Sequence, residues 1–224
     1  MKGISCSLIV FVFASGISSA AELKPAMLSW LAAQTNLQSW SADFVQTRVL
    51  KSLTQPLTAT GHVWFKAPNQ FRWELGQPVQ TIAARAAADL LVLYPRLKRV
   101  EKFPLTSEQS GPWRDALGLL EAGFPRSQAE LESQYTLLSQ VITNNVAELV
   151  LQPRSASARR MIPRIKIEFN MKDLALLATE LQFSDGSTLR NDFKNAVLNP
   201  SLDAQMFSPQ IPADYKVVEP LQKR

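Results

Sequence analysis

Hydrophobic residues near the start of the chain recur with the period of a helix. Four of them fall at spacings of i, i+4, i+7 and i+8, which places them on one face: Leu23, Met27, Trp30 and Leu31. The stripe predicts an amphipathic helix over about residues 23–35. Such a helix packs into a core or covers a sheet.

From Trp40 onward the apolar period changes to two, which is the period of a strand. Phe71 and Trp73 alternate with charged residues and give the clearest strand pattern. In residues 57–66 large apolar groups fall on both faces, so this strand is predicted to be covered on both sides. The other predicted strands are 40–48, 79–84, 89–94, 98–103, 135–141, 147–152, 164–169, 176–183 and 188–193.

The helical period returns between residues 107 and 133. Leu117 and Leu120 fall on one face of a first helix. Ser127, followed three residues later by Glu130, forms a capping box and predicts the start of a second, short helix. Two other segments carry neither period: 153–160 is polar and basic and is predicted to be a loop, and the proline-rich segment 200–224 is predicted to run extended over the surface.

These elements predict an α+β protein with one large antiparallel sheet. About ten strands exceed what a flat sheet tolerates, so the sheet should curl. Helices of such folds gather on one face. We therefore expect an incomplete, strongly curved antiparallel β-barrel with a helical lid, which either packs solid or encloses an apolar cavity.

The first twenty residues have the layout of a secretory signal peptide. Lys2 precedes an apolar segment at 8–14, and small residues lead to Ala20. The segment is shorter than the ~20 residues that span a bilayer. We expect residues 1–20 to be removed and 21–224 to form a single soluble domain, which in a Gram-negative source would reside in the periplasm.

Composition narrows the chemistry. The chain is 46% hydrophobic with a formal net charge of +5, and no dense basic cluster suited to nucleic acid accompanies that charge. His62 is the single histidine and Cys6 the single cysteine, which argues against zinc sites and Cys–His nucleophiles. His62 has no visible partner in the sequence, and Asp43, Glu74 and Asp89 are isolated carboxylates. Neither an enzymatic activity nor a cofactor is expected.

A modest basic segment follows the predicted strand at 147–152. It holds four arginines: Arg154, Arg159, Arg160 and Arg164. The segment is either a solvated loop or a contact with an acidic partner or with anionic lipid headgroups.

Several motifs in order resemble those of the outer-membrane lipoprotein carrier family, the LolA-like periplasmic chaperones. Residues 41–47 are similar to the family's Phe-x-Gln strand, and residues 61–74 to its Gly-x-x-Trp-x-Lys-Arg-Pro-x-x-Phe-Arg-Trp signature. Residues 149–154 resemble its Leu-x-Pro-Lys strand, and 206–209 its closing Phe-x-Pro segment. The similarity covers most of residues 40–218.

The resemblance implies an incomplete β-barrel with a helical lid above an apolar cavity, no cofactor and a monomeric state. It implies an acylated lipoprotein or other lipid cargo, taken from an inner-membrane releasing complex and delivered to an outer-membrane receptor. Ala67 stands where the family has an arginine that helps to hold the lid, with Lys66 and Arg72 as nearby cations.

Eight apolar residues are the candidates for lining the cavity. On the sheet side they are Val63, Phe65, Phe71 and Trp73, and on the helix side Met27, Leu31, Leu117 and Leu120. The alternative is that all eight fill a solid core. Two other functions stay open: an envelope-sensing or scaffold protein that binds a protein partner on the same fold, and a hydrolase whose site the sequence does not reveal.

Overall fold

The computed structural model describes residues 23–86, 89–105 and 127–220. The expected signal peptide, residues 1–20, and the predicted helix that carries Leu117 and Leu120 lie outside the described residues.

Three α-helices and twelve strands make up the described chain. The helices are α1 (Leu23–Thr35), α2 (Gln128–Gln134) and α3 (Ala156–Met161), and short 3-10 turns cover Pro95–Leu97 and Ala204–Phe207. The strands are β1 (Ser39–Val49), β2 (Leu57–Lys66), β3 (Gln70–Leu75), β4 (Thr81–Ala86), β5 (Asp89–Tyr94), β6 (Arg99–Pro104), β7 (Tyr135–Thr143), β8 (Val146–Pro153), β9 (Arg164–Asn170), β10 (Leu176–Gln182), β11 (Thr188–Leu198) and β12 (Lys216–Val218).

All twelve strands form one sheet in the order β12-β6-β5-β4-β3-β2-β1-β11-β10-β9-β8-β7. Every neighbouring pair is antiparallel except β12 with β6. The long pairing of β1 with β11 joins two meanders, β2–β6 and β7–β11. The terminal strands β12 and β7 do not pair with each other, so the sheet is open. The predicted α+β class and its mostly antiparallel, incomplete sheet are confirmed.

The register assigns one face of the sheet to the core. Trp40 and Ala42 of β1 align with Phe65 and Val63 of β2, and all four are buried. We refer to this side as the inner face and to the opposite side as the outer face. Period-two alternation groups these residues correctly on one face of each strand, but it did not indicate which face of β2 points inward.

Helix α1 covers part of the inner face. Trp30 is fully buried and stacks on Phe169 of β9, with ring centroids 5.2 Å apart and planes 12° apart. Met27 and Leu31 on the same stripe are also buried. Each such side chain contributes about 1.5–3 kcal/mol of burial free energy, so packing against the sheet stabilises the helix.

Helix α2 begins where its capping box predicts. Ser127 Oγ accepts a hydrogen bond from the Glu130 backbone N–H at 3.1 Å. The prediction of a loop at 153–160 was wrong, because α3 lies there. Ser155 Oγ accepts from the Ala158 N–H at 3.4 Å, and Ala158 is buried. A six-residue helix is too short to show a period, which is why the pattern missed it.

Two further expectations need correction. The outer face of β2 is not covered as predicted, since His62 and Trp64 remain half-buried while Val63 is buried. The C-terminal segment is also more structured than an extended tail. Phe207 is 1% exposed in a 3-10 turn that contacts β3 and β4, and Lys216–Val218 adds a parallel strand to β6.

Candidate functional site

The inner face carries two separate groups of packed apolar side chains. The first, here the α1 cluster, joins helix α1 to strands β1, β2, β8 and β9. The second, here the β3–β6 cluster, consists of buried Phe71, Leu90 and Phe103 with half-buried Ala83, Val92 and Leu105. The predicted lining residues are divided between these two groups.

Four predicted lining residues belong to the α1 cluster. Met27 and Leu31 of the helix and Val63 and Phe65 of β2 are all between 2% and 6% exposed. In this conformation all four fill core space, so a ligand reaches them only if this cluster opens.

Trp73 and Phe71 lie further along the sheet. Phe71 is aligned with Phe65 and belongs to the β3–β6 cluster, whereas Trp73 is aligned with Val63 and packs against the α1 cluster. Trp73 remains half-buried, with its ring 4.3 Å from the ring of Phe44. This tryptophan therefore lies at the margin of the α1 cluster. Leu117 and Leu120, the remaining candidates, lie outside the described residues.

The β3–β6 cluster extends the apolar surface beyond the residues that the sequence singled out. Leu90, Val92 and Phe103 share its inner face because Leu90 aligns with Phe103 and Val92 with Ala83. Sequence reasoning identified these strands but not their register, so their inward residues could not be chosen. Residues 90–93 are all apolar, so alternation within this strand could not have distinguished the inward side chains from the outward ones.

Charged residues lie within and beside this cluster. Arg85 of β4 aligns with Phe71 on one side and Leu90 on the other. Burial lowers the pKa of its guanidinium below the usual value. Glu101 of β6 aligns with Val92 on the same face. The inner face of this half of the sheet therefore combines apolar side chains with a cation and an anion.

The ring of Phe44 approaches β2 so closely at Gly61 that only glycine fits there. Gly61 aligns with Phe44, and a Cβ at this position would overlap both the Phe44 ring and the Glu74 carbonyl oxygen. The glycine therefore lets the aromatic ring of Phe44 lie flat against the sheet beside Trp73. This steric constraint explains the glycine that begins the motif at residues 61–74.

The residues considered for lid and partner contacts hold the C-terminal segment instead. Lys66 Nζ donates to the Leu202 carbonyl at 3.4 Å. Arg72 Nη1 donates to the Met206 carbonyl at 3.0 Å and its Nε to Glu74 Oε1 at 2.7 Å. Their positions follow from the alternation that places both side chains on the outer face. Ala67, in contrast, packs at the edge of the α1 cluster.

His62 has a partner that the sequence did not reveal. Its Nδ1 lies 2.7 Å from Asp43 Oδ1, and Asp43 Oδ2 accepts from Asn195 Nδ2 at 2.8 Å. The hydrogen bonds from Asn195 and His62 hold the pKa of the Asp43 carboxyl below its usual value. His62 also lies against Trp64, with ring centroids 4.1 Å apart. This group is on the outer face, and within the described chain no hydroxyl or thiol hydrogen-bonds to His62.

The other two carboxylates taken as isolated are paired as well. Glu74 binds Arg72, and Asp89 Oδ2 lies 3.2 Å from Lys102 Nζ. Cross-strand and same-strand neighbours of opposite charge explain both pairs, and such partners are invisible until the register is known.

A small cleft of about 170 Å³ opens between the end of α1, the β9–β10 turn and the end of β11. Its walls include Gln34, Leu37, Trp40 and Leu174. None of the predicted lining residues borders it. The cleft is far too small for a long acyl chain, since each methylene of a chain occupies roughly the volume of a liquid water molecule, ~30 Å³.

The described residues offer neither a membrane-spanning helix nor a metal-binding cluster. None of the helices there combines the length and apolar character needed to cross a bilayer. No group of three or more histidine, cysteine, aspartate or glutamate residues in those ranges is placed to hold a metal ion.

Fold and site together define an α+β protein built on an open antiparallel sheet with an apolar inner face. The chain belongs to the family described as outer membrane lipoprotein carrier protein LolA, whose sequence model matches residues 35–210. A curated relative, the outer-membrane lipoprotein carrier protein of Chromohalobacter salexigens, is 25% identical over 184 residues, which cover 82% of this chain and 81% of the relative.

Solved structures of low sequence identity superpose on this chain to different degrees. An uncharacterized conserved protein from Thermus thermophilus superposes with a TM-score of 0.50 at 12% identity, covering 86% of this chain and 97% of that one. A LolA superfamily protein from Nitrosomonas europaea gives a TM-score of 0.42 at 10% identity, covering 80% and 96%. The resemblance read from the sequence motifs is confirmed by the family match.

Proposed function

We propose that this protein is a periplasmic carrier that binds the acyl chains of lipids or lipoproteins against the inner face of its sheet. The observation that carries the proposal is family membership over residues 35–210 combined with an apolar surface that α1 covers only in part. By analogy with its family, it would ferry cargo from an inner-membrane releasing complex to an outer-membrane receptor.

The β3–β6 cluster is the proposed first contact for an acyl chain. Val92, Ala83 and Leu105 are half-buried there, so a chain laid over them removes further apolar surface from water. Each methylene transferred contributes about 0.8 kcal/mol. A long chain therefore binds strongly through area alone, without any specific polar contact.

The remaining lining residues would be reached in a second step. Met27, Leu31, Val63 and Phe65 belong to the same α1 cluster, so a chain that enters it replaces contacts within the cluster with contacts of its own. Helix α1, and the helix predicted to carry Leu117 and Leu120, would then act as the lid. Competition between cargo and lid for the same apolar surface keeps the net affinity moderate, which suits a carrier that must release.

The proposed action is binding and release, without a bond being made or broken. The Asp43–His62 pair lies on the outer face and makes no contact with the proposed cargo surface. Its role in the proposal is structural, since it links β1 to β2 at the surface.

A matched pair of substitutions on β5 tests the proposed surface. Val92 points to the inner face and Leu91 to the outer face, and both are half-buried. Val92→Gln is expected to weaken binding of an acylated peptide or a fluorescent fatty acid about tenfold, since the transfer free energy of one aliphatic side chain is ~1.5 kcal/mol or more. Leu91→Gln should leave the affinity unchanged.

Binding is measured by fluorescence titration of the purified protein, with circular dichroism to verify that each variant is folded. One acylated ligand per protein is expected. Absence of uptake for every chain length tested by native mass spectrometry would reject carriage, and an equal loss in both β5 variants would reject the location.

A further inference from the structure

Antiparallel pairing brings one set of loops to the same end of the sheet. Arg48 of β1 aligns with Leu57 of β2 and with Leu189 of β11. Arg164 of β9 aligns with Gln182 of β10. The β1–β2, β8–β9 and β10–β11 connections therefore lie along one rim, and the β5–β6 turn continues it because successive strands alternate in direction.

This rim is strongly basic. Five exposed cations, here together the basic rim, are Arg48, Lys51, Arg96, Arg160 and Arg164. Within the described residues, none of the five forms a salt bridge to a carboxylate. The acidic residues at this end are Asp185, Asp214, which pairs with Lys98 of the β5–β6 turn, and, in α2 beside β7, Glu130 and Glu132.

Two more arginines lie beside the basic rim but bind the backbone. Arg154 Nε donates to the Glu132 carbonyl at 2.6 Å, and Arg159 Nη1 donates to the Pro153 carbonyl at 3.2 Å. Both keep their positive charge in these contacts. They add to the field at this end while anchoring α3 and its flanking loop.

Apolar side chains project from the same rim. Val49, Leu53 and Leu57 of the β1–β2 hairpin are 42%, 45% and 48% exposed. Leu97, at the tip of the β5–β6 turn, is 70% exposed. Exposed leucines among cations without carboxylate partners are typical of surfaces that meet a membrane interface.

The opposite end of the sheet has a different character. The turns at this end that the structure describes, at residues 67–69, 144–145 and 171–175, carry one cation and one anion, Lys172 and Asp173. The basic charge is therefore concentrated at one end of the strands and does not reflect the overall net charge.

We propose that the basic rim docks this protein on the surface of an anionic lipid bilayer, with the leucines entering the headgroup region. The inference rests on the proposed carrier function, because the donor complex and the receptor of such a carrier both reside in membranes. Each cation near an anionic surface contributes about 1 kcal/mol, and the apolar side chains add area. If this end docks, the strands point away from the bilayer surface. An acyl chain can then pass from the bilayer along the inner face of the sheet.

Vesicle co-sedimentation of the purified protein tests the surface. Vesicles of phosphatidylcholine mixed with phosphatidylglycerol should bind the protein, and vesicles of phosphatidylcholine alone should not. Added salt should weaken the binding, since the charges are exposed. Arg160→Gln with Arg164→Gln should weaken it about 30-fold, which corresponds to ~1 kcal/mol for each charge removed.

A second double variant provides the matched control. Lys172→Gln with Lys194→Gln removes the same net charge from exposed sites away from the basic rim and should retain most of the binding. A third variant, Leu97→Ser, should weaken binding without changing its salt dependence. All five substituted residues are exposed, so thermal unfolding of the three variants should remain unchanged, which verifies that each is folded.

Two outcomes overturn the inference. Equal losses in the two double variants would mean that only net charge matters. Binding to polyglutamate but not to anionic vesicles would assign the basic rim to an acidic protein partner instead. Acyl-peptide uptake measured without vesicles separates this test from the carrier proposal. The Arg160/Arg164 double variant should keep full uptake. A protein that binds vesicles but takes up no acyl chain would contradict the carrier function and leave the docking inference standing.

Discussion

Two glutamines on inner-facing strand positions are both buried, but only one of them is hydrogen-bonded. Gln46 Nε2 donates to Asn191 Oδ1 at 3.1 Å. Gln140 of β7 is 6% exposed, and neither atom of its amide has a hydrogen-bond partner within the described residues. A buried amide without partners costs free energy, whereas a paired one roughly balances its desolvation.

Gln140→Leu is therefore expected to raise the free energy of unfolding by about 1 kcal/mol, since it removes an unpaired amide without creating a cavity. Gln46→Leu is the matched control and should lower it by about 1–2 kcal/mol, because Asn191 loses its donor. Urea denaturation followed by fluorescence measures both. A destabilised Gln140→Leu variant would show that the native amide is satisfied, for example by buried water.

The Asp43 carboxyl makes stability depend on pH in the acid range. Hydrogen bonds from Asn195 and His62 lower its pKa in the folded state below the unfolded value of 3.8. A depressed folded pKa contributes stability above the unfolded pKa, and that contribution is lost as pH falls through the folded pKa. Asp43→Asn should consequently be less stable than the parent above pH 3.8, and the difference should shrink as the pH is lowered below it.

Asn195 offers the control for this pH effect. Its backbone has a φ of 52°, so Asn195→Gly removes the amide donor without straining the chain. In that background the acid-dependent part of the Asp43→Asn difference should be smaller. Denaturation curves collected across the acid range decide it, and an identical pH profile in both backgrounds would contradict the role given to Asn195.

At the scale of single residues, sequence reasoning succeeded for apolar positions and failed for polar partners. Alternation grouped Val63 with Phe65 on one face of their strand, and both are buried on the inner face with Trp40. The partner of His62 comes from β1, nineteen residues away, and depends on the register of two strands. Periodicity within one segment carries no information about such cross-strand neighbours.

Strands were the elements that the sequence predicted best. β2 and β5 match their predicted limits. A proline precedes β2 directly, Pro56, and another follows β5 directly, Pro95, which marks one end of each strand in the sequence. Helix α3 and strand β12 were missed, since six and three residues are too few to show a period. Their formation depends on neighbours: Ala158 of α3 is buried, and β12 pairs with β6.

The C-terminal segment behaves as a structural element of the sheet. Phe207 is 1% exposed, and the turn that carries it contacts β3 and β4. Arg72, on the outer face of β3, bonds the neighbouring Met206 carbonyl. The segment therefore protects part of the outer face of the β3–β6 half, where Leu93 and Val100 are buried opposite each other.

Phe207→Ala should lower the free energy of unfolding by about 3–5 kcal/mol, the usual cost of removing a buried phenyl ring. Met206→Ala, one residue away at a half-buried site, should cost clearly less. Thermal and urea unfolding of both variants measure the difference. Similar small losses would mean that the segment lies loosely on the sheet and that its burial has little energetic weight.

For the molecule as a whole, the two apolar clusters divide the sheet into halves with different roles. The α1 cluster is closed by Trp30 stacked on Phe169, so the β7–β10 half already has a complete core. The β3–β6 cluster retains half-buried apolar side chains on its inner face. Under the proposed carrier function, cargo gains most where apolar surface is still open to water.

Hydrogen exchange of backbone amides can show which strands a bound acyl chain stabilises. A bound acyl chain stabilises the states in which its surface is formed, by an amount set by its concentration relative to its dissociation constant. Exchange of backbone amides in β3–β6 should slow markedly when an acylated peptide is added, whereas amides in β8–β10 should change little. The Val92→Gln variant should lose most of the added protection at the same peptide concentration. Protection that appears first in β8–β10 and α1 would contradict this division, because cargo would then be displacing the helix rather than entering beside it.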